Sequence, residues 1–394
     1  MDNKRLLLYY GDVLIGDINR FVKNRKLLET LKSEASQPTA DSFSFSINWK
    51  LFADFVKRKF DDPPETFLKV LKTRVIFEID GFPRFAGFLA SRPAREGLGN
   101  EQNLILTFYE HFARLSGDVV CNTTDPTSPM RTFTDVRADV FVETLIQDFL
   151  DHAEASGDIL DWSMGNVDRL ANKTITYKDF PTIAKALCDA MNNVEGAGKF
   201  DVVVRPDPED YSAFLVDVRK PRGKNKNVVI QYPGDGVYKL WASGYSVAEN
   251  NEFASDIIVA GNGQVGDTEE NEQTAKIGAA SNAAFAANYG YYKIYEPASN
   301  LYSQNAVDQY AMTRINQLDI RKETPEIQLV GRPIAWGEED NEDNGLAIGD
   351  TFYFYEETDD GGDRSGYYRI IAMDTDYDDN GVATVRPTLK AVDE

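Results

Sequence analysis

Asp376, Asp378, Asn380 and Gly381 stand at positions 1, 3, 5 and 6 of a calcium-loop spacing, and Asp340, Glu342, Asn344 and Gly345 repeat most of it. Such a loop closes only when a carboxylate at position 12 grips the ion through both oxygens. Those positions hold Pro387 and Thr351, so Asn380-Gly381 and Asn344-Gly345 read as turns between strands. The two histidines offer no better start. His111 ends an alternating stretch, Tyr109-Glu110-His111-Phe112, and His152 falls on the polar side or end of a helical pattern. Neither spacing supplies a nucleophile with its base, or a third metal ligand. Cys121 and Cys188 have no CxxC spacing and no neighbouring histidine, which predicts two free, buried thiols. The 64 acidic residues guarantee some carboxylate pair about 5–9 Å apart in any fold, as a glycosidase needs, and no motif selects one. No catalytic, cofactor-binding or metal-binding residue is assigned, and the chain is expected to be no enzyme.

Gly261-Asn262-Gly263-Gln264-Val265-Gly266 fits GxGxxG behind the strand-like Asp256–Ala260. A dinucleotide site needs an apolar helix opening at the third glycine, with its N-terminus on the pyrophosphate. This chain continues Asp267-Thr268-Glu269-Glu270-Asn271-Glu272, whose charge repels phosphate, so a turn or loop is expected. The basic run Lys220-Pro221-Arg222-Gly223-Lys224-Asn225-Lys226-Asn227 lacks an aromatic to stack a base and reads as a solvated hairpin tip or a subunit contact.

Charge sets the wider frame. The net charge is −22, and the carboxylate surplus is concentrated at one end: residues 1–120 hold 16 acidic and 18 basic side chains, 121–240 hold 19 and 14, and 241–394 hold 29 and 10. A surface of that sign neither grips nucleic acid nor settles on an anionic bilayer, yet it suits the wall of a passage through which DNA slides without sticking. At 394 residues the chain is expected to hold two to four domains. With 42% hydrophobic residues and 23 Phe, 19 Tyr and 4 Trp, it has ample apolar area to fold. The apolar run Leu6-Leu7-Leu8-Tyr9-Tyr10 is too short for a signal peptide. No stretch reaches the roughly 18 apolar residues of a membrane span, so a protein made in the cytoplasm and not inserted in a membrane is expected.

The elements follow from periodicity. Phe43, Phe45 and Ile47 alternate with Ser44, Ser46 and Asn48, and Val75, Phe77 and Ile79 do the same before Asp80-Gly81, giving half-buried strands and a hairpin turn. Further strands are predicted at 85–89 and 104–108, with a tip at Gly97, Gly99 and Asn100. Thr134 is the expected N-cap of a helix carrying Val136, Val140, Phe141, Leu145 and Phe149, and a second helix spans 181–193. Strands resume at 200–204, 214–218 and 228–232. An Ala- and Asn-rich stretch at 274–290 and a helix from Asn305 precede four more strands, at 327–330, 351–355, 367–372 and 382–386. The predicted class is mainly β with helical inserts (α+β). Its domains are a first small β-barrel at 1–118, a helical or mixed insert at 119–200, a second, similar barrel from 201–270 with 320–394, and a helical or loop excursion at 271–319.

Several stretches carry a resemblance to a known family: Phe43–Ile47 with Val75–Phe88, Asp256–Gly263, and Glu326 through Gly349-Asp350-Thr351 to Tyr367-Tyr368-Arg369-Ile370. In this order the chain resembles the hub proteins at the tip of long phage tails, the baseplate hub or tail-associated-lysin N-terminal family, and their relatives in contractile injection machines. The resemblance covers nearly the whole chain and rests on pattern, since the family has no signature motif. It implies a homotrimer whose two barrels per subunit give six around a ring, matching a threefold tip to a sixfold tube. It also implies a structural virion protein that closes the distal end of the tail tube and lines the DNA exit channel. Expected neighbours are the distal tail ring, the tape measure, and fibre or lysin proteins; DNA would be met only in passing. Many relatives continue into a peptidase, muramidase or fibre, whereas this sequence ends at Glu394; a bare hub without catalysis is therefore expected. Two other readings stand beside it. One is a β-rich protein that binds a host surface or carbohydrate through its aromatics, and the other is a carboxylate-dependent cell-wall hydrolase.

Overall fold

The computed structural model describes residues 4–34, 38–96, 102–121, 131–177, 180–192, 199–220, 223–232, 242–249, 254–262, 275–298, 301, 303–318, 323–330, 346–356, 365–378 and 382–392. The chain divides into two units, one of Met1–Asn192, Lys199–Tyr245 and Glu326–Glu394, the other of Asn193–Gly198 and Ser246–Pro325. The class is mainly β with helical inserts.

The first unit begins with strands β1 (Lys4–Tyr10), β2 (Val13–Asp17), β3 (Val22–Thr30) and β4 (Ser42–Asn48), then helix α1 (Trp49–Lys57). Strands β5 (Thr73–Ile79), β6 (Phe82–Leu89), β7 (Ala94–Glu96) and β8 (Asn103–Glu110) follow. The turn between β5 and β6 is the one predicted: Asp80 and Gly81 take φ of 53° and 86°, the paired left-handed geometry of a two-residue hairpin. The insert holds β9 (Arg131–Arg137), α2 (Ala138–Ala155), β10 (Trp162–Val167), β11 (Asn172–Tyr177), α3 (Ile183–Asn192), β12 (Asp201–Pro206) and β13 (Phe214–Arg219). It is mixed. Thr134 lies in β9, paired to β11, and α2 starts four residues later, because Phe133 and Ile175 gain a cross-strand neighbour and a core there.

Beyond the insert come β14 (Asn225–Tyr232) and β15 (Ala242–Glu249), and in the second unit β16 (Asp256–Ala260), β17 (Ile277–Ser281), α4 (Ala283–Tyr289), β18 (Lys293–Pro297) and α5 (Gln304–Gln317). The last strands are β19 (Glu323–Val330), β20 (Thr351–Glu356), β21 (Gly366–Tyr377) and β22 (Ala383–Val392).

The two expected strand groups form one continuous sheet, in the order β15-β19-β22-β21-β3-β4-β8-β6-β5-β1-β2, with β7 on β8 and β14 and β20 running off β21. Antiparallel pairing of Arg25–Thr30 with Ala372–Tyr377 joins them. Among the described residues neither group closes on itself as a ring, and one cluster fills both: Phe43, Phe77 and Phe108 from the first share a core with Phe352, Ile370 and Leu389 from the second. The first group is buried on both faces. Leu6, Leu8, Val75, Phe77 and Phe85 face that core, while Leu7, Ile76 and Ala86 face a second core built around Phe141, Leu145, Leu187 and Val216 of the insert. The run Leu6-Leu7-Leu8 is therefore a strand without a wet side. In the second unit α5 covers one face of the sheet β17-β16-β18 through Val307, Ala311 and Ile315.

Candidate assembly surfaces

The sequence-selected residues are held in structural work. Asp376 receives Arg386 Nη1 at 2.6 Å across the β21–β22 pair, and Asp378 Oδ1 accepts Val382 N–H at 2.7 Å. Both carboxylates thus close a hairpin. Asn380, Gly381 and residues 340–345 lie outside the described residues, as do Gly97, Gly99 and Asn100, and no group of three metal-ligating side chains occurs among the described ones. His152 is half-exposed beside Asp118 at 2.8 Å. His111 is buried against the rings of Phe214, Phe88 and Trp162, and neither ring nitrogen has a hydrogen-bond partner. Burial above all, then Arg114 and Arg74, hold its imidazole well below the ordinary histidine range. Cys121 and Cys188 are free thiols, the first half-buried and the second buried, and burial pushes Cys188 up to about 11.

The basic run is a structural clasp. Lys224 N–H donates to Asp350 Oδ1 at 2.9 Å, Ala347 N–H donates to Asp350 Oδ2 at 2.9 Å, and Lys226 is buried 4.0 Å from the same carboxylate. Gly223 takes φ +97°, and a Cβ there would lie 1.9 Å from the Gly349 backbone. Gly349-Asp350-Thr351 therefore sets the parallel register of β14 on β20. Pro221 and Arg222 are outside the described residues. Gly261 packs against Leu301 and Val307, Asn262 N–H donates to Leu301 O at 2.7 Å, and residues 263–274 are not described.

Sequence reading passed over the buried ion pairs that tie remote segments of the first unit together. Lys32 Nζ donates to Glu110 Oε1 at 2.5 Å and lies 3.7 Å from Asp41, whose N–H donates to Glu110 at 3.0 Å. Two carboxylates share one ammonium there, so burial and Asp41 push Glu110 up to about 7. Glu34 gathers Lys199 and Lys390, each at 2.6 Å, and Arg369 at 3.6 Å; the two lysines hold its carboxyl below the usual range against the opposing pull of burial. Arg84 and Glu29 form a two-pronged pair inside the sheet. A signal for two of these was available. Glu110 continues the inward row Leu104, Leu106, Phe108, and Glu29 lies between Leu27 and Leu31. Arg84 gives no such signal, because it is the extra residue of a bulge between Phe77 and Glu78.

Both units also carry exposed apolar and aromatic side chains. On the first unit β2 is an edge strand with Val13 and Leu14 exposed, and Lys59 Nζ donates to Leu14 O at 3.2 Å and Ile15 O at 2.9 Å. A lysine spent on edge carbonyls blunts uncontrolled strand addition. On the second unit Tyr291, Tyr292 and Tyr295 are exposed. Aromatic side chains in the open are the chemistry of contact surfaces.

No protein-family model matches the sequence, and no curated protein matches it. Solved structures do. The 43 kDa tail protein of prophage MuSo2 from Shewanella oneidensis is similar over 99% of this chain and 98% of its own, with TM-score 0.61 and 10% identity. The tail protein from Neisseria meningitidis MC58 is similar over 98% and 97%, with TM-score 0.55 and 10% identity. Prophage tail protein gp18 from Listeria monocytogenes EGD-e is similar over 98% and 94%, with TM-score 0.52 and 11% identity. At these identities the likeness is one of fold, and the resemblance read from the sequence holds at that level: the chain folds, nearly end to end, as these phage tail proteins do.

Proposed function

We propose that this chain is a structural tail protein, the hub at the tip of a phage-type tail, which closes the distal end of the tube and lines the DNA exit channel without catalysis of its own. The observation that carries the reading is end-to-end similarity in both directions with three tail proteins. The working assembly is a homotrimer in a virion, with distal tail ring, tape measure, and fibre or lysin proteins as neighbours. The proposed halves are residues 1–118 and 201–270 with 320–394, except that β12 and β13 pack in the core of the inserted module that 119–200 begins, and 246–270 fall in the second unit with the excursion 271–319. The surplus of 29 acidic over 10 basic residues in 241–394 is proposed to lie partly on the channel wall, where it repels phosphate and keeps transit free of adhesion.

Light scattering behind size exclusion, at low and high salt, tests the assembly. A mass three times 44.2 kDa, with a ring and central opening on imaging, supports it. A monomer at every concentration, with the distal tail ring protein also present, refutes it.

A further inference from the structure

We propose that the open face of the three-stranded sheet β17-β16-β18 binds a neutral glycan across Tyr291, Tyr295, Asp256 and Lys293. The strand register sorts the side chains. Ile257, Val259 and Ile294 belong to the core under α5, and Glu296 is held by Tyr310 and Arg314 of that helix. Successive strand residues point to opposite faces, so Asp256, Ile258, Lys293 and Tyr295 share the other face, in rows fixed by Asp256 opposite Lys293 and Ile258 opposite Tyr295. Tyr291 joins them, because Lys293 Nζ lies 5.8 Å from its ring centroid. Tyr291 is 69% exposed and Tyr295 57%.

The ring of Tyr291, two residues ahead of β18, and that of Tyr295 on the strand flank an ammonium and a carboxylate in the next row. The carboxylate is aimed. Asp256 Oδ2 accepts Ser255 Oγ and Oδ1 accepts Ser281 Oγ, both at 2.7 Å, and these hydroxyls hold its pKa below the usual range. A carboxylate has acceptor capacity beyond these two bonds, which a pair of neighbouring hydroxyls would use while Lys293 donates. Apolar pyranose faces stack on the rings, and Ile258 and Ala279, opposite one another in the register, extend the platform. The ligand is neutral because Asp256 and a chain of net charge −22 disfavour phosphate, sulfate and uronate. Nothing here depends on the tail-hub reading.

The test is titration calorimetry of the full chain with cello-, malto- and N-acetylglucosamine hexasaccharides, and with a heparin hexasaccharide as the anionic comparison. The expected result is saturable binding of at least one neutral hexasaccharide, weakened about tenfold by Tyr295→Ala or Tyr291→Ala, as the loss of one stacking ring predicts. Tyr295→Phe, which keeps the ring, should bind as the parent does, and Asp256→Asn should weaken binding without unfolding the chain. Three results overturn the proposal: no neutral hexasaccharide binds by about 10 mM, binding is indifferent to both tyrosine truncations, or the heparin fragment binds equally well. A change in oligomer mass on Tyr295→Ala with no glycan bound assigns the face to a protein contact, and also overturns it.

Discussion

Glu110 and His111, neighbours in the chain and both buried, should pull the pH dependence of stability in opposite directions. Glu110 titrates at about 7 in the fold against 4.5 when free. Between those values the folded protein holds a proton that the unfolded chain has released, so stability falls as pH rises, by about 1.4 kcal/mol per pH unit and about 3 kcal/mol across the interval. His111 does the reverse. The unfolded chain takes up its proton near 6.5 while the buried ring stays neutral well below that, so stability falls on acidification at the same limiting slope of about 1.4 kcal/mol per pH unit. Below pH 6.5 the two contributions oppose one another in the parent. Relative to the parent, Glu110→Gln should uncover the histidine and lose about 1.4 kcal/mol per unit of acidification below pH 7, and His111→Phe should lose as much per unit as pH rises towards 6.5, with no further difference above it. Urea unfolding followed by circular dichroism at pH 5, 6 and 7 reads both slopes, and every other carboxylate drops out of the difference between variant and parent. Parallel profiles for all three proteins would refute the argument, because they would mean that water already solvates both groups.

Two further outcomes follow from local geometry. Gly223→Ala places a methyl group on the Gly349 backbone at a left-handed φ, so it should cost about 2–4 kcal/mol by urea unfolding; less than about 0.5 kcal/mol would show that the clasp gives way freely. At pH 8 a thiol reagent should label half-buried Cys121 first, with Cys188 reacting only on unfolding, since burial keeps its thiol protonated up to about 11; equal labelling rates, read by mass spectrometry, contradict this.

Much of the fold was legible because alternation was regular. Phe43, Phe45 and Ile47 lie inward on β4 as the pattern requires, Asp80-Gly81 turns the chain, and the helix expected from Asn305 begins at Gln304, capped by Ser303. Elements that draw their stability from a partner were not legible. The nine-residue α1 buries Phe52 and Val56 four apart, a helical spacing that went unread between the stronger strand patterns, and β9 and β11 exist because they pair, which overrode the helix start expected at Thr134. The ion pairs split the same way: inward acids on regular strands are visible in the parity of the sequence, whereas Arg84 reaches Glu29 only through a bulge. The face carrying Tyr291 and Tyr295 could not be read, because alternation gives two faces and only the register with α5 tells which is left open.

The pairing of β3 with β21 has a consequence for biosynthesis. Residues 25–30 find their strand partner in residues 372–377, roughly 340 positions later, a separation that makes closing the contact entropically slow. During translation β3 has β4 on one side and bare backbone on the other until almost all of the described chain has left the ribosome. The core of Phe43, Phe77, Ile370 and Leu389 is completed only once β22, which carries Leu389, has followed. A nascent chain halted early therefore displays an open strand edge, the kind of surface that chaperones hold and proteases find, and only a chain that has received both β21 and β22 holds the whole sheet.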